Sequence, residues 1–332
     1  MPKAPILDNE IKYKSPLSTV LDEYIAHKRA AGNIYIAEAE HFRRMDNFAE
    51  GFGCPVNVLT KELVLAWAAK RPHEKDNTQA KRANAVKRLA MFMVERGYEA
   101  YVYPYSSTRD PVQYMPYIFT EDEMGTLLRL ADRYQSNNFS RTLNITVPLV
   151  FRILYGCGLR TSEVLNLRVC DVDIGRKTLR VSESKFGKGR IVPMVPSLTS
   201  HCAEYIRLMK INRSVYDDGD YLIQNHGGGR YSDQAIYHWF RILLSQAGIP
   251  HGGKGHGPRV HDIRHTYAVH CLKRWVTSGK DIQALLPMLS AYMGHCDLKG
   301  TQIYLRLTPD LFPFINNTMN EFFSDKREWG QA

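Results

Sequence analysis

The sequence predicts a mainly α-helical protein with two domains, of which the second also carries a small β-sheet. The chain has 332 residues, which exceeds one typical domain and allows each of two domains to bury its own core. Apolar residues recur at helical spacing through residues 15–96, whereas alternation at a period of two is confined to two short segments, residues 178–182 and 190–195. Helices should therefore dominate, and the sheet should belong to the C-terminal domain.

The charge balance favours a polyanionic partner. Lys and Arg together number 44 against 34 Asp and Glu, a formal net charge of +10, and such an excess favours nucleic acid ahead of an anionic membrane. No apolar run reaches about 18 residues, so no membrane span is expected. The N-terminal residues lack the apolar core of a signal peptide, and the 6 cysteines contain no CxxC pair. We therefore expect a cytoplasmic protein with reduced thiols and no membrane partner.

The N-terminal region predicts a helical bundle. Residues 1–14 are expected to form a flexible arm, and Ser15-Pro16 supplies an N-cap followed by proline at the first helical position. Four helical segments follow within residues 15–105, and residues 106–117, rich in Tyr, Pro and Ser, form the predicted linker. The fourth segment carries four bases that we expect on one side of the helix, either as nucleic-acid contacts or as a solvated face: Lys81, Arg82, Lys87 and Arg88.

The C-terminal domain is predicted over residues 118–310 and should open with a helix, because Thr120 and Glu123 have the spacing of a capping box. An apolar helix is expected over about residues 143–155. The two alternating segments should pair as a β-hairpin with a basic, glycine-containing tip.

A later helix of this domain is predicted to begin after Ser232, which can act as its N-cap. Its core stripe consists of Ile236, Trp239, Phe240, Leu243 and Leu244. Its opposite face offers side chains that can contact bases and phosphates, although such faces are ordinarily only solvated: Gln234, Tyr237, His238 and Arg241.

Two stretches, residues 154–167 and 260–306, combine the residue types that attack on a phosphodiester requires. Such attack needs a nucleophile, stabilisation of the non-bridging oxygens and a proton donor for the leaving oxygen. Arg160 and Arg264 can stabilise the oxygens, because the arginine fork donates two parallel hydrogen bonds and stays protonated. Histidines and a lysine can share proton transfer, and a tyrosine hydroxyl can form a covalent intermediate. Such a set requires no metal ion.

Each of these residues also has an ordinary structural alternative. Arg160 could begin a helix with Glu163 as its ion-pair partner, Tyr304 could belong to a core, and His295 could cap a helix. A zinc site at His261 and its neighbouring histidines is disfavoured, because no HExxH glutamate accompanies them and an arginine between two ligands would repel a cation. We therefore expect no metal and no cofactor.

Three motifs in order strongly resemble those of the tyrosine recombinases, the phage integrase, Xer and Cre group. They are GLRTSE at residues 158–163, HDIRHT at residues 261–266, and the pair GH at residues 294–295 followed by Tyr304. The resemblance covers about residues 118–306, whereas the N-terminal bundle is similar to the family's SAM-like core-binding domain only in size, helicity and position. It implies two domains that close around duplex DNA as a C-shaped clamp.

The resemblance implies a role for each matching residue. Arg160 and Arg264 would hold the phosphate, Glu163 would support the site, and His261 would aid proton transfer. His295 would bond to the phosphate, and Tyr304 would attack it. The family's hairpin lysine falls on Lys185, with Lys188 as the alternative, because the tip has SKFGK where relatives commonly have Gly-Lys-Gly. The expected DNA contacts are Lys81, Arg82, Lys87, Arg88, Lys188, Arg190, Gln234, Tyr237, His238 and Arg241.

The implied activity is site-specific recombination or integration of mobile DNA through a covalent 3′-phosphotyrosyl intermediate, without ATP or magnesium. The implied partners are duplex DNA with inverted-repeat core sites, further copies of the chain in a tetramer, and accessory DNA-bending proteins, near the nucleoid of a prokaryotic host. A C-terminal helix within residues 311–332 would be exchanged between protomers, with packing on its own domain as the alternative. A type IB topoisomerase-like enzyme and a catalytically silent DNA-binding regulator are the alternative functions.

Overall fold

The computed structural model describes residues 11–33, 35–104, 115–136, 141–182, 189–213, 215–253 and 257–294. The chain divides into two compact units, Met1–Tyr114 and Met115–Ala332. Each unit has its own hydrophobic core, and the second also contains a small antiparallel sheet. The predicted fold class, mainly α with a small sheet in the C-terminal part, is confirmed.

The described part of the N-terminal unit is a helical bundle around a core rich in aromatic residues. Tyr24 lies at its centre and packs edge-on against Phe42 and Phe92, with ring centroids 5.4 Å and 5.2 Å away. Thr60 caps the third helix by accepting the Leu63 N–H at 3.3 Å. The helices are α1 (Ser18–Ala30), α2 (Ile36–Glu50), α3 (Lys61–Ala68) and α4 (Asp76–Glu95).

The end of the expected N-terminal arm contacts this bundle through three hydrogen bonds. The buried carboxylate of Asp46 accepts the N–H groups of Lys14 at 2.7 Å and Ser15 at 3.0 Å. The hydroxyl of Tyr13 donates to the carbonyl of Ala39 at 3.2 Å. These bonds give otherwise unpaired groups a partner, which favours an ordered segment over a solvated one. Residues 1–10 lie outside the described residues.

Arg82 does not share an exposed face with the other bases of α4, so it is withdrawn as a DNA contact. Its side chain is 4% exposed, and its Nη2 lies 2.6 Å from the carboxylate of Glu74. The guanidinium also donates to the Ala69 carbonyl and lies over the ring of Trp67. Successive helical residues point about 100° apart, which turns Arg82 inward while Lys81 and Arg88 remain exposed. Lys87 is half-buried.

The C-terminal unit is built around helix α6 (Leu143–Gly156), which packs against four other helices of the unit. The predicted capping box is present: Thr120 Oγ1 accepts the Glu123 N–H, and Glu123 accepts the Thr120 N–H. The predicted core stripe of α9 is buried throughout. The helices are α5 (Glu121–Asp132), α6 (Leu143–Gly156), α7 (Thr161–Asn166), α8 (Pro196–Asn212), α9 (Asp233–Gln246), α10 (Val260–Thr277) and α11 (Ile282–Met293).

The sheet contains the predicted hairpin and one further strand that was not predicted. β2 (Thr178–Val181) pairs antiparallel with β3 (Arg190–Pro193), and β1 (Val172–Asp173) adds to the other edge of β2. β1 has only two residues, too few for a period of two to be recognisable. Arg190 lies on the same side of β3 as the buried Val192, whereas Ile191 between them is exposed. This alternation directs Arg190 into the unit.

Helix α11 was also absent from the sequence-based prediction. Asp281 caps it by accepting the Gln283 N–H at 2.8 Å. The segment is apolar nearly throughout and contains Pro287, so it lacks a polar periodic face. Among the described residues, no helix combines the length and the apolar character needed to cross a membrane.

Candidate active site

The turn between α6 and α7 places the first arginine motif against α10. Gly158 has a φ of +58°, and a Cβ at this position would lie 2.5 Å from the ring of Tyr267 on α10. Glycine is therefore required both by the backbone conformation and by the close approach of that ring. Arg160 follows as the N-cap residue of α7. The turn thus sets Arg160 and Glu163 beside the helix that carries Arg264.

Glu163 is the buried centre of the site, with a side chain that is 1% exposed. Arg160 Nη1 donates to Glu163 Oε1 at 2.7 Å, and the backbone N–H of Arg160 donates to Oε2 at 2.9 Å. The same carboxylate therefore caps α7 and holds the first candidate phosphate ligand. The Arg160 side chain retains 18% exposure, so solvent reaches it.

Arg190, which was predicted to contact DNA, lies against Glu163. Its side chain is 10% exposed and binds Glu163 through two parallel hydrogen bonds. Nη1 donates to Oε1 and Nη2 to Oε2, both at 2.9 Å. This bidentate geometry fixes the orientation of both groups. The alternation along β3 is the signal that could have identified Arg190 as inward-facing.

Arg264 is 2% exposed and lies against both the α6–α7 turn and the end of α11. Its Nη1 donates to the Gly158 carbonyl at 2.6 Å and lies 3.9 Å from Glu163 Oε2. Its Nη2 donates to the carbonyl of Met293. Arg160, Arg190 and Arg264 therefore surround one carboxylate, and these four groups together carry an excess of two positive charges.

The end of α11 is held by the same three arginines. Arg190 Nε donates to the Tyr292 carbonyl at 2.7 Å, Arg264 to the Met293 carbonyl, and Arg160 Nη2 to the Gly294 carbonyl at 3.1 Å. The last carbonyls of a helix lack intrahelical partners and carry partial negative charge, which cations stabilise. This contact was not predicted from the sequence. The hydrogen bonds place Gly294, the last described residue, beside the arginines.

The arginines keep Glu163 ionised. Burial by itself would raise the pKa of the carboxyl group, but hydrogen bonds from Arg190 and from the Arg160 backbone, together with their charges, outweigh it and lower the pKa to about 2. The carboxylate is therefore charged throughout the physiological range and can hold the guanidiniums in place.

His261 lies in the first turn of α10, three residues before Arg264, and is exposed. Its ring lies edge-on to that of His265, with centroids 4.8 Å apart. Burial, with the positive charges of His261 and Arg264 adding to it, lowers the pKa of His265 to about 4. His265 is therefore neutral at pH 7. Within the described ranges, no group of three or more His, Cys, Asp or Glu side chains could hold a metal ion.

Of the remaining predicted site residues, only those on α9 belong to the described part of the chain. Lys185, Lys188, His295 and Tyr304 lie outside the described residues. On α9, Gln234, Tyr237 and His238 are exposed and Arg241 is half-buried, with the Tyr237 hydroxyl 3.2 Å from His251 Nε2. Contact of this face with DNA stays a prediction.

Comparison with known proteins identifies the family. The profile of the phage integrase family matches residues 118–310. The putative integrase/recombinase y4rB of Sinorhizobium fredii is 30% identical over 317 residues, which cover 94% of this chain and 99% of that protein. The tyrosine recombinase XerA of Pyrococcus horikoshii is 31% identical over 196 residues, 58% of each chain.

Solved structures share the fold at lower sequence identity. The Tn1549 transposon integrase in complex with circular intermediate DNA aligns with a TM-score of 0.60 at 18% identity, over 88% of this chain and 95% of that one. XerH bound to a palindromic difH substrate aligns with a TM-score of 0.60 at 16% identity, over 82% and 76% of the two chains. The chain belongs to the phage integrase family and is a site-specific tyrosine recombinase.

Proposed function

We propose that this chain cuts and rejoins duplex DNA, with Arg160 and Arg264 binding the scissile phosphate and Tyr304 as the nucleophile. The observation that carries the proposal is the gathering of these two arginines on the buried carboxylate of Glu163. A fixed pair of guanidiniums with excess positive charge suits a phosphodiester whose non-bridging oxygens gain charge during attack. The arginines are positioned before substrate binds, so little reorganisation is required during the reaction.

The proposed reaction is two successive transesterifications. The Tyr304 oxygen bonds to phosphorus as the bond to the 5′-oxygen breaks, which leaves a 3′-phosphotyrosyl link and a free 5′-hydroxyl. Lys185 would donate the proton to the departing 5′-oxygen, and His261 would assist proton transfer. The 5′-hydroxyl of a partner strand then attacks the same phosphorus and releases Tyr304. One phosphoester bond is exchanged for another at each step, so no ATP is consumed.

The remaining contacts and the assembly follow from this proposal. Lys81 and Arg88 on α4 and the polar face of α9 would contact the DNA, while His295 would bond to the phosphate beside Arg160. Structures of relatives include a lambda integrase dimer bound to a core site and XerH bound to difH. By analogy, copies of this chain would assemble as a tetramer on two duplexes with inverted-repeat core sites, in the cytoplasm of a prokaryotic host and with accessory DNA-bending proteins.

A trapped cleavage assay tests the proposal. Duplexes taken from the DNA that borders the gene, each nicked so that cleavage releases a short fragment, should give a covalent protein–DNA adduct in the presence of EDTA. Arg160→Ala should slow adduct formation by about 100-fold, because one preorganised donor to the transition state is lost. The absence of any adduct with the wild-type protein, or an Arg160→Ala rate within about tenfold of wild type, would reject this assignment.

A further inference from the structure

The guanidinium of Arg190 makes more hydrogen bonds within the protein than is expected of a residue that contacts DNA. All three nitrogens of its guanidinium donate hydrogen bonds within the protein, two to Glu163 and one to the Tyr292 carbonyl. By comparison, Arg160 bonds to Glu163 through one nitrogen and to Gly294 through another, and it is more exposed. Arg190 therefore points towards Glu163 and the end of α11, whereas Arg160 points towards the solvent from which a phosphate would approach.

Arg190 also joins three parts of the chain that are distant in sequence. Its backbone begins β3, opposite Val181 of β2, and Lys185 and Lys188 lie in the sequence between these two paired strands. Its side chain reaches α7 through Glu163 and the end of α11 through Tyr292. A Cβ on Gly294 would lie 2.9 Å from Arg190 Nη1, so the backbone at the end of α11 approaches this guanidinium closely.

We propose that Arg190 is a positioning residue for strand cleavage. It fixes Glu163, the base of the hairpin and the end of α11 relative to one another. The inference rests on the proposed function, since the groups it positions are those proposed to act on the phosphate. Without Arg190, the buried carboxylate would lose two of its hydrogen bonds and its bidentate partner. The Glu163 side chain that holds Arg160 would then be free to move. The hairpin base and the end of α11 would lose the one residue that contacts both. Small displacements of this kind slow an enzymatic step strongly.

The test separates DNA binding from cleavage. For Arg190→Ala, we expect a half-site affinity within about twofold of wild type and an unchanged dependence of affinity on salt, because no phosphate contact is removed. Cleavage at saturating DNA should be slower by about 100-fold. Added guanidinium ion should restore part of the rate, since it can occupy the vacated space beside Glu163. Arg176→Ala, in the turn between β1 and β2 with a side chain that is 86% exposed, removes the same charge from the same sheet and serves as the control.

The conservative variant covers the case in which Arg190→Ala does not fold. Arg190→Lys keeps the charge, but one ammonium cannot bridge both carboxylate oxygens and the Tyr292 carbonyl. Its cleavage rate should therefore also fall, with its affinity preserved.

If Arg190 instead contacts DNA, its loss will weaken binding, lower the slope of log affinity against log salt by about 0.9, and leave the rate at saturating DNA unchanged. That result overturns the inference but leaves the proposed function intact. If the wild-type protein forms no adduct, the proposed function itself fails.

Discussion

Arg160, at the start of α7, donates a 3.1 Å hydrogen bond to the carbonyl of Gly294, at the end of α11, although the two residues lie 134 positions apart. The residue after Gly294 is His295, and Tyr304 follows nine residues later. This contact fixes the end of α11, which precedes the proposed nucleophile in the sequence, relative to an arginine that is proposed to bind the phosphate. A change at either end should therefore affect cleavage.

Gly294→Ala should reduce both stability and cleavage. Gly294 has a φ of +66°, and the added Cβ would lie 2.9 Å from Arg190 Nη1. The backbone conformation alone should cost about 1 kcal/mol, and the steric conflict should displace Arg190. Thermal unfolding and single-turnover cleavage measure the two effects.

Gly248→Ala is the matched control for this variant. Gly248 has a φ of +70° just after α9, but a Cβ there would meet nothing within 4 Å. It should lose a similar amount of stability and retain its cleavage rate. Equal cleavage rates in the two variants would contradict the role assigned to the end of α11.

Glu163→Gln should change the dependence of stability on pH. The folded pKa of Glu163 is lowered to about 2 from an ordinary value of 4.5, so its contribution is present above about pH 4.5 and is lost as the pH falls towards 2. A shift of this size corresponds to about 3 kcal/mol. The difference in unfolding free energy between wild type and Glu163→Gln, from urea titrations, should therefore be largest at neutral pH and shrink in acid.

Glu204→Gln provides the comparison for the pH series. Glu204 also pairs with an arginine, Arg207, but both side chains are more than half exposed. Such surface pairs contribute little to stability. If Glu204→Gln showed the same pH dependence as Glu163→Gln, burial of Glu163 among the arginines would not be the cause of that pH dependence.

Two adjacent basic residues on α4, Lys81 and Arg82, should have opposite effects on stability and DNA binding when they are replaced. Arg82→Ala removes the charged partner of the half-buried Glu74 and the side chain that packs over Trp67, and should destabilise the N-terminal unit by about 2 kcal/mol. Lys81→Ala should leave stability nearly unchanged and weaken DNA binding, with a salt slope lower by about 0.9. Chemical unfolding and binding measured at several salt concentrations distinguish them. Loss of stability in Lys81→Ala, or loss of a phosphate contact alone in Arg82→Ala, would reverse these assignments.

The C-terminal tail should be required for assembly. Residues 311–332 lie outside the described residues, but their sequence carries an apolar stripe at helical spacing, formed by Phe312, Ile315, Met319, Phe322 and Phe323. If this stripe docks on a neighbouring protomer, deletion of residues 311–332 should leave a folded protein that binds one half-site but neither assembles cooperatively nor exchanges strands. Sizing chromatography and gel-shift titration measure this. If the truncated protein unfolds, the C-terminal stripe packs instead in the core of its own protomer.

The sequence predicted most of the helices, though not α11, and singled out Arg160 and Arg264, because each of these depends on local pattern. Capping residues and apolar periodicity determine α5 and α9, and motif order associates Arg160 with Arg264. The network around Glu163 depends instead on contacts between α7, β3 and α11, which no local pattern encodes. Arg190 was assigned to DNA because basic residues near a hairpin tip suggest phosphate contacts, although its alternation with the exposed Ile191 indicated an inward side chain.

The errors in the N-terminal region have equally specific causes. Arg82 was grouped with Lys81 by charge, although the 100° step between neighbouring residues allows one to be buried while the other is exposed. The contacts of residues 13–15 could not be predicted locally either, because Asp46, the acid that accepts the Lys14 and Ser15 N–H groups, lies on α2 about 30 residues away.

The most direct test of the central claim is to identify the residue that becomes linked to DNA. The trapped adduct, digested with protease and analysed by mass spectrometry, should contain a single nucleotide-bearing peptide with the modification on Tyr304. Tyr304→Phe should bind the same duplex with near-normal affinity and form no adduct, because only the nucleophilic oxygen is lost. An adduct on another residue, or an adduct that persists in Tyr304→Phe, would contradict the mechanism.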